Sequence, residues 1–398
     1  RARAPCRRNA LRRAHHAHRA WLDRGRGRGR GPQEGIPHHP RGTRRRARGA
    51  CPIAGADRIE VAQVDGWECV VQKGEFHTGE HIVYIEVDSI VPERPEFEFL
   101  RDRKFRVRTI KLRGQVSQGL VLPLSILPNG APADLGADVT DVLGIKKYDP
   151  EAQQEAQLLT KQPQKPQSAI ARFLMRFKWY RKLFMKPKRK GGFPDWIVKT
   201  DETRIQNLTT LFEMERNKGT KFSVTEKVDG QSATYYLRKV SKRKYEFGVC
   251  SRNIYLRTPD NSSYWTIAKK YNIENVLRQL IGDYETIVLQ GEICGNQIQG
   301  NKYHISGYDL FAFNLIYPDH KCGTAEIKKL LEPYGIKTVP IVEEGKTLPE
   351  TIAELVEYSK GKSVVRKEQK REGVVMRNVQ SNISFKVINP DFLLAEKD

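Results

Sequence analysis

Residues 221–230 read KFSVTEKVDG. From Lys221 to Glu226 polar and apolar side chains alternate, the period of a strand with one buried face, and Asp229-Gly230 then supplies a turn. A lysine placed between a strand and a turn is equally what an ordinary surface ion pair looks like, so the weight falls on its surroundings. Working outward, further strand-like runs lie at Ala233–Leu237, Tyr245–Cys250, Thr286–Glu292, Leu310–Leu315, Gly373–Met376 and Ile383–Ile388. Helical periodicity lies at Ser262–Leu280, Thr324–Leu331 and Leu348–Ser359. Strands and helices do not alternate strictly, which predicts an α+β chain whose C-terminal unit, residues 196–398, is an antiparallel-rich α/β domain.

The N-terminal half has a different texture. Residues 52–128 are short alternating stretches, such as Trp67–Gln72 and Ile82–Val87, punctuated by Gly66, Gly74, Gly79 and Gly114. That spacing predicts a small β-barrel over about 51–130. Arg101, Arg103, Lys104, Arg106, Arg108, Lys111 and Arg113 alternate with apolar residues, which predicts a cationic strand face fit for phosphates. Residues 131–195 form a linker: Glu151–Gln167 is polar, and Arg172–Lys190 holds nine basic residues and no acidic one among aromatics, the pattern of a basic helix. Residues 1–50 carry 16 arginines and no lysine, with Asp23 and Glu34 as the only acids. A tract so charged and aperiodic is expected to stay unfolded: a basic arm, a transit peptide or a non-native extension.

Overall charge is +23 and hydrophobic residues are 38%. The balance favours a polyanionic partner such as nucleic acid. No apolar run approaches a membrane span, the stretch Leu120–Leu127 being broken by Pro123, and no signal peptide is readable. The six cysteines are widely spaced with no CxxC, arguing against a zinc knuckle or disulfide scaffold and for a reduced, cytoplasmic protein.

After Glu226-Lys227-Val228-Asp229-Gly230 come Ser251-Arg252-Asn253, Gly291-Glu292-Ile293, Phe311-Ala312-Phe313-Asn314, Glu372-Gly373-Val374-Val375-Met376-Arg377 and Ser384-Phe385-Lys386. In this order they resemble the motifs of the covalent nucleotidyltransferase superfamily of ligases and capping enzymes, an ATP-grasp-like ligase domain. Upstream, Gly55-Ala56-Asp57-Arg58-Ile59-Glu60, Val64-Asp65-Gly66-Trp67 and Lys111–Leu120 resemble the N-terminal OB-like module of the fifth family of bacterial RNA ligases. The resemblance covers roughly residues 52–392. It implies an ATP-dependent RNA ligase that adenylylates a lysine, passes AMP to an RNA 5′-phosphate and joins it to a 3′-OH, at nicks in duplexes.

Carried over residue by residue, the resemblance makes Lys227 the nucleophile and Lys386 the contact to the α-phosphate. Glu292 and Glu372 would recruit Mg2+ or Mn2+ or hold the ribose, with Glu372 and Lys386 joining Lys227 as the catalytic set. Glu226, Asp229, Gly230, Arg252, Glu292, Phe313 and Lys386 would bind ATP, Phe313 by stacking on adenine and Arg252 through a phosphate. Arg108, Lys111, Arg113 and Arg204 would contact nucleic acid, Arg204 and Gln206 lying in an entrance segment at Asp201–Asn207. Lysine suits the first step because its amine is a strong nucleophile once neutral, and carboxylates suit a hard cation bridging phosphates.

Two departures stand out. Ser384 holds a place where relatives carry lysine, leaving more of the phosphate charge to Lys386. Arg-rich Arg41–Ala50 stands where the module's first strand belongs, so a barrel lacking that edge strand is expected if the tract is foreign. Rival readings are a DNA ligase or a capping-type guanylyltransferase on the same scaffold, or a catalytically silent nucleic-acid binder. Only 12 residues follow Lys386, too few for the OB-fold that DNA ligases and capping enzymes carry there.

Overall fold

The computed structural model describes residues 41–132, 134–149, 190–257 and 259–395. The tract before residue 41, the stretch Glu151–Gln167 and residues 172–189 of the basic segment lie outside these.

The N-terminal module contains β1 (Gly42–Pro52), β2 (Ile59–Val64), β3 (Trp67–Gln72), β4 (His81–Ile85), β5 (Ser89–Ile90), β6 (Arg106–Val107), β7 (Thr109–Leu112), β8 (Gln115–Gln118), β9 (Leu120–Pro123) and β10 (Lys146–Lys147), with a short helix α1 (Thr140–Leu143). Its main sheet runs β3-β2-β1-β4-β9, all antiparallel. β1 corrects the expectation for residues 41–50: the Arg-rich tract is a central strand, bonded to β4 on one side and β2 on the other. Backbone pairing is indifferent to side-chain charge, and the arginines find partners. Arg44 is buried with Nη1 on the Pro132 carbonyl at 3.2 Å, and Arg45 pairs with Asp65 at 2.9 Å. Ala47 and Thr43 fill the buried face between them, and a bulge at Arg48 lets the strand bend.

The cationic strip is also corrected. Pro95–Arg103 is a 3-10 helix that buries Phe97 and Leu100, and Lys104 and Phe105 both have positive φ, so the basic residues do not share one strand face. Arg101 is neutralised by Glu98 and Glu93, and Arg106 by Asp88 at 2.7 Å. Only Arg108, Lys111 and Arg113 fall on or beside the β7–β8 hairpin. Its turn at Arg113-Gly114, with φ of 48° and 86°, is of the type that matches strand twist.

The C-terminal module adds β11 (Lys190–Gly192), α2 (Thr209–Lys218), β12 (Phe222–Lys227), β13 (Gln231–Ser241), β14 (Lys244–Cys250), β15 (Ile254–Leu256), α3 (Ser263–Lys270), α4 (Ile273–Leu280), β16 (Thr286–Gly295), β17 (Tyr308–Ile316), α5 (Thr324–Leu331), β18 (Lys337–Thr338), β19 (Ile341–Lys346), α6 (Ile352–Ser359), β20 (Gly373–Asn378), β21 (Ile383–Ile388) and α7 (Pro390–Ala395). The helical run expected at 262–280 is two helices, broken at Asn272 in the left-handed region. One sheet runs β11-β15-β14-β13-β16-β17-β18 and the other β19-β12-β20-β21; only the β17–β18 pair is parallel.

Alternation along these strands separates core from cleft. On the larger sheet Ala233, Tyr235, Leu237, Ile287, Leu289, Leu310 and Ala312 pack against α3, α4 and α5. On the smaller sheet Phe222, Val224, Val374, Met376, Phe385 and Val387 pack with Phe212 of α2 and Leu355 of α6. Each fully buried side chain of this size contributes about 1.5–3 kcal/mol, so both sheets hold their register firmly. The intervening positions, among them Lys227, Gly373, Val375, Arg377, Ser384 and Lys386, take the opposite face of the smaller sheet. Among the described residues no helix is long and apolar enough to cross a membrane.

Candidate active site

β12 ends at Lys227, opposite Gly373 of β20, and β20 sets Val375 opposite Lys386 of β21. Register alone therefore places Lys227 and Lys386 on one face, with Glu372 at the start of β20. Lys227 Nζ donates to Glu372 Oε2 at 2.6 Å. Burial pulls the Lys227 ammonium down, but Glu372 and Glu292 outweigh it and hold its pKa above the ordinary value. Lys386 is the reverse case: burial, with Arg204 and Lys227 adding to it, pushes its amine down to about 7. Two lysines on one face are thus shifted in opposite directions, so Lys227 stays protonated until its contact with Glu372 is relieved.

Asp229 follows on the turn. Burial and the neighbouring Glu372 push its carboxyl up to about 6, against the pull of Lys302, whose Nζ lies 2.6 Å away. The Asp229 amide donates to Tyr303 Oη at 2.9 Å. Gly230 is required here by close approach: a Cβ would lie 2.4 Å from the Ile293 carbonyl oxygen and 2.9 Å from Glu292 Cγ. The turn after Lys227 is therefore seated on β16 beside Glu292. Carboxylates of Glu292, Glu372 and Asp229 all act electrostatically on Lys227. Carboxylate oxygens beside a lysine are the hard donors that suit a divalent cation such as Mg2+ or Mn2+.

Phe313 belongs to β17, where Gln290 pairs with Asn314 but Gly291 with Ala312. Phe313 is thus the extra residue of a bulge, the device by which a strand re-aims a side chain next to a site. It joins Val228, Phe311 and Val339 in a small apolar cluster, with the Arg377 guanidinium 5.7 Å from its ring centre. Glu226 has Oε2 on the Val364 amide at 2.7 Å, while Oε1 is buried with no partner among the described residues. An orphaned buried carboxylate oxygen is costly and asks for a donor.

Other expected residues are more constrained. Arg252 donates to Asp201 at 2.6 Å and lies 4.0 Å from Asp149. Arg204 is nine-tenths buried, bonded to Asp88 of the N-terminal module at 3.1 Å and bridged through its backbone to Lys386. One of its terminal nitrogens, Nη1, is buried without a partner among the described residues. Gln206 is buried at the junction of the modules, its carbonyl accepting from the Gly66 amide at 3.3 Å. Lys111 and Arg113 are exposed on the β7–β8 hairpin, which reaches α7, and Arg108 is half-buried.

Several neighbours were not singled out from sequence. Ser384 Oγ donates to Glu202 Oε2 at 2.6 Å, and Arg377 Nη2 donates to Glu202 Oε1 at 3.3 Å. Lys321, pushed down to about 8 by burial and by Arg377, feels the same cluster. Glu202 lies within the entrance segment, which was the available signal; Lys302 and Tyr303 follow an irregular turn and left none. A cavity of about 530 Å3 is lined by Phe311, Lys328, Lys337, Val339, Pro340 and Val364 among others.

Two antiparallel-rich sheets, the smaller of them carrying Lys227 against Glu372 and Lys386 on the same face, give the fold of the nucleotidyltransferase ligases. A family model described as RNA ligase matches residues 220–388, and an OB-fold domain model matches residues 42–124. The chain is similar to Naegleria gruberi RNA ligase in structures of its variants with AMP and Mn (TM-score 0.73, 34% identity, covering 90% of this chain and 99% of that one) and with ATP and Mn (0.72, 33%, 89% and 98%). The structure of that ligase with PPi matches likewise (0.72, 34%, 89% and 98%). None of the curated proteins matches. The chain belongs to the RNA ligase family, and its N-terminal module is an OB-fold domain.

Proposed function

We propose that this chain is an ATP-dependent RNA ligase working through a lysyl-AMP intermediate, with Lys227 as the nucleophile. The observation that carries the reading is the Lys227–Glu372 contact at 2.6 Å, made on the face that also presents Lys386. ATP, AMP, Mn and PPi in the Naegleria gruberi structures support the choice of nucleotide and metal.

In the first step the neutral Lys227 amine attacks the α-phosphorus of ATP; a P–N bond forms and the P–O bond to pyrophosphate breaks. In the second an oxygen of the RNA 5′-phosphate attacks the same phosphorus and the P–N bond breaks, returning the amine. In the third the 3′-OH attacks the activated 5′-phosphate and AMP leaves. A Mg2+ or Mn2+ held by Glu292 and Glu372 would supply charge that neutralises the phosphates and draws Glu372 away from the lysine. Lys386 faces the charge that builds on the α-phosphate. Glu226 Oε1, lacking a partner, accepts from the adenine amino group, and Phe313 on its bulge stacks on the ring. Arg252 exchanges Asp201 for a phosphate. Asp229, tied to Lys302, fixes the turn behind the nucleophile. The substrate is RNA with a 3′-OH and a 5′-phosphate, held as a nicked duplex, with Lys111 and Arg113 of the OB hairpin on its backbone.

Incubation with radiolabelled ATP and Mg2+, followed by denaturing electrophoresis, tests this. The wild type is expected to retain an acid-labile label that Lys227→Ala lacks; equal labelling of both would refute the nucleophile.

A further inference from the structure

The segment Lys360–Arg371 precedes Glu372 and holds six basic residues against one acid, Glu368. It is a built loop. Arg371 is buried at its root, donating to the carbonyls of Tyr358, Ser359 and Lys360 at 2.6–2.8 Å. Ser363 Oγ accepts from the amides of Val365 and Arg366, and the Ser363 amide donates to the Gln369 carbonyl at 2.8 Å. The Val364 amide then rests on Glu226, next to the nucleophile. Both ends of the loop are thus fixed to the catalytic motifs.

Three of its six cations are left facing outward. Lys362, Lys367 and Lys370 are exposed, and among the described residues none of them forms an ion pair, whereas Arg101 and Arg106 of the OB module are neutralised by their own neighbours. Lys362 and Lys370 are, moreover, direct partners across an antiparallel bridge. Like charges held opposite one another destabilise a pairing unless an anion lies between them. A polyanion with regularly spaced phosphates removes that repulsion, and a preorganised loop binds it with little ordering cost.

We infer that the loop 360–371 is an RNA-binding element, with Lys362, Lys367 and Lys370 contacting successive phosphates of the strand being joined. The inference rests on the ligase reading and names a contact surface outside the catalytic cleft. Phosphate contacts hold register and carry no base specificity, so binding here is sequence-independent.

The test is the affinity of a fluorescent nicked RNA duplex for the full chain between about 50 and about 300 mM KCl, with covalent labelling from ATP measured on the same samples. Replacing the three lysines together (Lys362→Ala, Lys367→Ala, Lys370→Ala) is expected to make the log–log salt dependence shallower by about 2 and to weaken binding about tenfold or more at the lower salt. Labelling at Lys227 is expected to stay at the wild-type level, and the triple arginine variant is expected to restore both slope and affinity. An unchanged slope and affinity in a normally labelled alanine variant would overturn the loop's role while leaving the ligase reading intact. A wild type that takes no label would instead overturn the ligase reading.

Discussion

Lys386 shows how much a buried charge costs this fold and why it is kept. Its amine ordinarily titrates at 10.5 and is pushed down to about 7 by burial, Arg204 and Lys227. Between those values the unfolded chain binds a proton that the folded chain does not, so the contribution of this group to stability rises with pH across the window and its cost is fully present below it. Lys386→Met is therefore expected to raise the melting temperature by a few degrees at pH 7, the gain shrinking toward pH 10 in calorimetry. On the proposed mechanism the same variant loses about 100-fold in adenylylation rate, because it removes the cation assigned to the reacting phosphate. Glu202 is the converse. It takes hydrogen bonds from the buried Arg377 and from Ser384, so Glu202→Ala strands a cation and should cost about 3 kcal/mol in urea denaturation. Ser384→Ala removes only one hydrogen bond and should cost about 1 kcal/mol in the same measurement.

Elements were legible where periodicity and burial agree. The helix expected at Thr324–Leu331 is α5 with those limits, and the strand expected at Ile383–Ile388 is β21. Both have one apolar face and a sharp end, so composition and tertiary packing say the same thing. β1 was missed because an arginine-rich tract reads as unfolded by composition, while its strand is held by backbone bonds on both sides and by ion pairs from other segments. The strip at 101–113 misled for a different reason: positive φ at Lys104 and Phe105 breaks the alternation, and nothing local announces it. Within the candidate site, Lys227 and Lys386 stand in recognisable motifs, and the strand register sets them on one face. Lys302 and Lys321 carry no such signal, since each arrives through long-range packing, and Glu202 was signalled only by the entrance segment around it. The turn at Asp229-Gly230 belongs at this scale too. With a Cβ only 2.4 Å from the Ile293 carbonyl, Gly230→Ala must displace the turn from β16, and adenylylation is expected to fall by at least about tenfold while the melting temperature changes little.

At the scale of the molecule, the segment 203–207 joins the two modules. Trp67 Nε1 donates to Asn207 Oδ1 at 2.8 Å, Arg204 bonds Asp88 at 3.1 Å, and the Lys386 amide donates to the Thr203 carbonyl at 2.9 Å. The OB module is therefore attached to the same short segment that supports the β21 lysine. Loosening the junction should be felt at both ends. Asp88→Ala leaves Arg204 buried with one fewer partner, so proteolytic cleavage between the modules is expected to quicken and Lys227 labelling to slow, with Arg204→Met partly reversing the first effect. All of this presupposes that the cleft forms a covalent nucleotide adduct on one lysine and hands it to RNA. The most direct measurement is peptide mass spectrometry of the chain after incubation with ATP and Mg2+, repeated after a chase with a nicked RNA duplex. AMP is expected on Lys227 alone before the chase; after it the lysine is expected unmodified, with the nick sealed and AMP released. An adduct on another residue, or one that RNA with a 5′-phosphate does not remove, would contradict the mechanism.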